Sequence, residues 1–160
     1  MRSRIAREDG GTTVEFAVVL VVFLTFLFGI MDFSRALYVY HFVCEVAREG
    51  SRYAMVRGST YGASCATVAT ASCAATDANV TSYIRSKVPL AIQSSSVSVT
   101  TTWPGTAPAG ATGACNTTNG INSPGCLVQV QVSYPFRFIL PFLPSATTTL
   151  QSTSVMVIAQ

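Results

Sequence analysis

The sequence predicts an α+β fold: a long N-terminal helix, membrane-spanning and then amphipathic, followed by a small antiparallel-sheet domain resembling no repeat. Three observations carry this. An apolar run from Phe16 to Met31 contains no charge, with Thr25 and Gly29 as its breaks in character. Apolar residues then recur at helical spacing as far as Ala54. Beyond that, short stretches alternate Val with Ser, Thr or Gln, which is the period of a half-buried strand. The chain of 160 residues leaves room for one small domain after the helix.

Residues 1–10 read as a polar leader carrying Arg2, Arg4 and Arg7, and residues 11–57 as one anchor helix. Its span covers about 12–31. The run from Phe16 to Met31 is about 24 Å long as a helix, short of a hydrocarbon core of about 30 Å. Extending it back to Thr12 closes the gap and leaves Glu15 at the interface, where snorkelling lowers the cost of its charge. The arginines precede the span and Asp32 follows it, so the positive-inside bias places the N-terminus in the cytoplasm. A cleavable secretory signal is a poorer reading, because Met31-Asp32-Phe33-Ser34-Arg35 lacks the small residues of its cleavage site.

The amphipathic extension, about 32–57, places Ala36, Tyr40, Val43, Ala47 and Ala54 on an apolar stripe. Glu45, Arg48, Glu49 and Arg52 lie off it, with Glu49 and Arg52 spaced as an i, i+3 ion pair. Gly58-Ser59 is the stop signal. The remainder, 58–160, is expected to be a disulfide-containing, β-rich extracytoplasmic domain. It comprises a short helix from Asp77 to Val88 ended by Pro89, strands over Ser96–Trp103 and Leu127–Tyr134, and a last strand over Thr147–Ile158. Residues 104–126 read as a loop, and the segment from Tyr134 to Pro144 as a proline-interrupted edge strand.

Composition excludes several functions. The chain is 49% hydrophobic and only 11% charged, which fits a membrane-attached, exported protein. Past residue 60 the fixed cations are Arg85, Lys87 and Arg137, too few and too scattered for nucleic acid. His41 lies on the helix with no nucleophile motif around it, so it reads as an ordinary helix histidine, and no enzyme, cofactor or metal is expected. Cys65 with Cys73, and Cys115 with Cys126, would each close a short loop as a disulfide, in keeping with an oxidising compartment. The spacing alone leaves three pairings open. Cys44 reads as a buried helix thiol, with an intersubunit bridge as the alternative. Asn79-Val80-Thr81 and Asn116-Thr117-Thr118 match a glycosylation pattern that matters only in a eukaryotic secretory route.

Three blocks, in order along residues 10–57, resemble one family: Gly11-Thr12-Thr13-Val14-Glu15-Phe16-Ala17-Val18-Val19-Leu20, then Phe28-Gly29-Ile30-Met31-Asp32-Phe33-Ser34-Arg35, then Ala47-Arg48-Glu49-Gly50-Ser51-Arg52-Tyr53-Ala54. Together they are similar to the TadE-like pseudopilins, minor pilins of the tight-adherence (Flp-type) pilus system. Val21 departs from that family, which often has a proline inside the span.

The resemblance implies an inner-membrane, single-pass protein with a periplasmic C-terminal domain, active in pilus assembly for adhesion and biofilm formation. It implies cleavage between Gly10 and Gly11 by a prepilin peptidase, with Glu15 and Phe16 as the assembly and register residues. The expected partners are that peptidase, other pilin subunits, the inner-membrane assembly platform and the bilayer. The alternative is a bitopic envelope protein whose ectodomain binds a ligand or partner outside any fibre.

Overall fold

The computed structural model describes residues 9–62, 73–111, 115–139 and 147–159. Helix α1 spans Asp9–Met55 and α2 spans Asp77–Ser86. Strands β1 (Ser98–Thr102), β2 (Leu127–Arg137) and β3 (Thr147–Val157) form one antiparallel sheet in the order β1-β2-β3. The fold class is therefore the α+β arrangement expected. Contacts divide the chain into two compact units: residues up to Tyr38 together with Arg137–Thr147, and Val39–Phe136 together with Thr148–Gln160.

In the second unit the core is built from helix and sheet faces of matching period. Val128, Val130 and Val132 of β2 are fully buried, while Gln129, Gln131 and Ser133 point to the half-exposed side. That alternation is the sequence pattern realised. β1 pairs with β2 so that Ser98 faces Ser133 and Thr102 faces Gln129. β2 carries on through Pro135 to Arg137, further than expected. It is the central strand, and it tolerates the proline because β1 stops pairing at Ser133, so no β1 ladder bond is lost to the missing N–H. Residues 140–146, the rest of the proline-punctuated stretch, lie outside the described residues.

The buried face of α1 in this unit is Val39, Val43, Val46, Ala47, Gly50, Ser51 and Ala54. It includes Val43, Ala47 and Ala54 of the expected stripe but not Tyr40, which is 49% exposed. One residue along a helix is a rotation of about 100°, and the stripe is centred through Val39 and Val46, which leaves Tyr40 outside. Gly50 is where the elements approach most closely. A Cβ built there would lie 2.6 Å from Ile84 Cδ1 of α2 and 3.2 Å from Val130 Cγ1 of β2.

Beside it, the fully buried Ser51 donates to the Arg48 carbonyl at 2.9 Å and meets Ser154 of β3 at 2.8 Å. A hydroxyl has one hydrogen, so Ser154 is the donor in the second bond. α2 buries Val80 and Ile84 and is capped by Thr76, whose side chain accepts the Asn79 N–H. Asp77, in its first turn, accepts the Thr101 N–H at 2.7 Å and so ties α2 to β1.

Cys115 and Cys126 form a disulfide, as expected. Cys73 is also disulfide-bonded; its expected partner, Cys65, lies outside the described residues. Cys44 is a free, half-buried thiol on α1. The expected Glu49–Arg52 ion pair is not formed: the ion pair between described residues is Asp32–Arg35.

Candidate anchor and assembly surface

In the first unit the part of α1 up to Tyr38 presents an apolar surface that no described residue of the unit covers. Phe16, Val18, Val19, Val21, Phe26 and Ile30 are each more than half exposed. Such exposure of large apolar side chains is unfavourable in water and marks a membrane or protein contact. The helix is long and apolar enough to cross a membrane, with a mean hydropathy of 2.6 over its most apolar window and none of that window buried. Its hydroxyls are satisfied within the helix: Thr25 donates to the Val21 carbonyl and Ser34 to the Ile30 carbonyl, each at 2.8 Å. No bare hydroxyl therefore opposes the transfer of those residues into lipid.

Asp32 is the residue whose role sequence reasoning did not anticipate. By sequence it is the charge that follows the apolar run, yet it is 3% exposed. Its Oδ1 accepts from Arg35 Nη1 at 2.8 Å, and its Oδ2 accepts the backbone N–H of Ile139 at 2.6 Å. With that carboxylate withdrawn, the charge-free exposed surface runs from Phe16 to Phe33, about 27 Å of helix. The apparent shortfall in span length is thus largely removed from the far end as well as from the near one. The Asp32…Arg35 spacing of three is the signal that could have pointed to this pairing.

The residues expected to act in processing and register lie near the N-terminal end of the described part of α1. Gly10 and Gly11 are exposed and helical, with nothing within 4 Å of a Cβ at either. Both glycines lie within α1, Asp9–Met55. Glu15 and Phe16 are exposed one turn further on, and Glu15 makes no ion pair with a described residue. Along the same helix an open apolar groove of about 540 Å³ is lined by Val21, Val22, Thr25, Phe26, Gly29 and Phe33, among others. Val21, Thr25, Gly29 and Phe33 recur every four residues and so share one face. His41 is exposed on α1, and among the described residues no group of three or more His, Cys, Asp or Glu could hold a metal ion.

Among the described residues one helix is long and apolar enough to cross a membrane, which is compatible with a membrane anchor. Residues 10–52 match the family model of the TadE-like protein, so this helical segment is similar to that family. That family is one of pilus components. No curated protein and no solved structure matches the chain.

Proposed function

We propose that this chain is a minor pilin of a tight-adherence pilus, held in the bacterial inner membrane by α1 and released into the fibre after cleavage between Gly10 and Gly11. The observation that carries the reading is the coincidence of the TadE-like match at residues 10–52 with the uncovered apolar helix, Glu15 sitting at its mouth. Two adjacent glycines inside a helix lower its local stability, by about 1 kcal/mol each relative to alanine. A membrane peptidase on the cytoplasmic side could therefore unwind this turn at small cost. The arginines of the leader hold that side in the cytoplasm, and the sheet unit is periplasmic.

Cleavage creates an α-ammonium at Gly11. In an apolar bundle of helices a lone ammonium and a lone carboxylate are each costly, whereas a matched pair is tolerated. Glu15 of one subunit pairing with the ammonium of its neighbour therefore selects an axial register more than it adds stability. The i, i+4 face of Val21, Thr25, Gly29 and Phe33 supplies a seat for the neighbouring helix. The prepilin peptidase, the assembly platform and other pilins are the partners of this reading, and adhesion and biofilm formation its outputs.

Glu15→Ala and Gly10→Ala test it. Both variants should reach the membrane at normal levels and abolish pilus-dependent adhesion and aggregation. Normal adhesion by well-expressed variants would return the chain to the class of bitopic envelope proteins that never enter a fibre.

A further inference from the structure

At the far end of the apolar run two distant stretches of the first unit meet. Asp32 on α1 precedes Phe33, which is 64% exposed, and its Oδ2 accepts the backbone N–H of Ile139, itself 67% exposed. That bond, at 2.6 Å, fixes the Ile139 backbone against this turn of α1. An exposed isoleucine is thereby held at the level where the apolar surface that starts at Phe16 ends. Arg137, two residues earlier, is exposed, and Phe138 between them is half-exposed. Beyond Arg137 the sequence holds no charged side chain.

The chemistry of this junction selects lipid. Non-helical backbone is normally kept out of a bilayer, because an unpaired N–H is costly there. Here the Ile139 N–H is taken by Asp32, whose carboxylate is compensated by Arg35 at 2.8 Å and is itself buried. A loop standing in water needs no buried carboxylate for this, since water satisfies an exposed N–H equally well. What the junction offers outward is apolar, Phe33 and Ile139, with the partly exposed guanidinium of Arg35 and the exposed Arg137 beside it. Apolar side chains followed by guanidinium groups match the acyl boundary of a bilayer and the phosphate layer above it.

We propose that residues 137–139 are a second membrane contact, an interfacial foot: Ile139 enters the boundary between headgroups and acyl chains beside Phe33, and Arg137 meets lipid phosphate. The inference rests on the reading of α1 as a membrane anchor and adds a defined exit from the bilayer. An apolar helix by itself sets neither its depth nor its rotation, which are decided by packing and by anchors at the interface. A foot tied to one side of α1 through Asp32 fixes both. It holds for the chain in the membrane, whether or not that chain later enters a fibre.

The test is NMR of the full-length chain in phospholipid bicelles with two relaxation probes, a lipid doxyl-labelled on its acyl chain close to the headgroup and a water-soluble gadolinium chelate. The amides of Leu24, Phe33 and Ile139 are read together, Leu24 reporting the anchor alone. The doxyl lipid should broaden Ile139 to within about twofold of Phe33, as residues at one depth require. The chelate should leave both sharp. Ile139→Ser, which keeps the N–H that Asp32 accepts, and Arg137→Gln should each lower the lipid broadening at position 139 severalfold and leave Leu24 unchanged. Leu24 reached by lipid while Ile139 is reached only by the chelate would overturn the foot and leave the anchor standing. Leu24 untouched by lipid would overturn the anchor reading and the foot with it. An Ile139 amide shielded from both probes would show that protein covers it, a second copy rather than lipid, and would likewise overturn the proposal.

Discussion

Asp32 accepts the backbone N–H of Ile139 at 2.6 Å, a bond that joins positions 107 residues apart. The same carboxylate takes Arg35 on its other oxygen, so a single side chain at the end of the apolar run satisfies a backbone donor and a cation together. Its consequence is twofold: the stretch after β2 is fastened at Ile139, and the anchor surface loses a charge it would otherwise expose beside the bilayer.

Asp32→Ala should therefore leave membrane insertion intact and loosen the attachment of Ile139. The Ile139 amide, left without its acceptor, should exchange at least about tenfold faster, corresponding to a loss within the 1–3 kcal/mol range for an orphaned donor. Asp32→Asn keeps an acceptor oxygen and should show a smaller loss. Arg35 is 44% exposed, so its share of the effect is small. Hydrogen exchange of the detergent-solubilised chain reads both losses, and unchanged Ile139 protection in the alanine variant would contradict the role given to Asp32.

Gly50 is expected to be limited by space rather than by backbone freedom. Alanine gains about 1 kcal/mol of helix propensity there, but its Cβ meets Ile84 Cδ1 and Val130 Cγ1 in a fully buried neighbourhood. Overpacking costs about 1–3 kcal/mol, so Gly50→Ala should be mildly destabilising and Gly50→Val severely so. Ile84→Val deletes the very methyl that clashes. Denaturation of the two single variants and the double variant should show Gly50→Ala and Ile84→Val less damaging together than the sum of their separate effects.

Tyr40 and Gly50 show what was legible in the sequence and what was not. Element type and order, the valine face of β2 and the Asp77 helix were readable, because each is a local period or a cap. The centre of the α1 stripe was not. Tyr40 fits the apolar spacing as well as Val39 does, and the rotation is settled by the small residues Gly50 and Ser51, where tertiary approach demands a small side chain. Asp32–Ile139 was invisible for the same reason: it depends on elements brought together from distant sequence. In the candidate anchor surface, by contrast, the span lies in one continuous stretch legible from hydropathy and charge, whereas the roles expected of Glu15, Gly10 and Gly11 rest on the resemblance to TadE-like proteins.

The Cys115–Cys126 disulfide closes a separation of 11 residues, and Cys126 is fully buried. Chain-entropy arguments give such a loop about 2–3 kcal/mol. Cys115→Ser should lower unfolding free energy by about that amount, and reducing agent should do the same to the parent protein while leaving the variant nearly unmoved through this bond. Denatured but unreduced protein should take up one alkyl group, at Cys44, as measured by intact mass. Three labels would show that the Cys65–Cys73 expectation or the Cys115–Cys126 bond fails in the expressed protein.

The central claim is that α1 begins, in the working protein, at Gly11. Intact and N-terminal mass spectrometry of the membrane-extracted chain, from cells with and without their prepilin peptidase, tests this most directly. A mature start at Gly11 that disappears with the peptidase is the expected result, and it would place Glu15 as the fifth residue of the assembled subunit. A start at Met1 or Arg2 in both strains would contradict the account and leave a membrane-anchored protein whose function resides in its sheet unit.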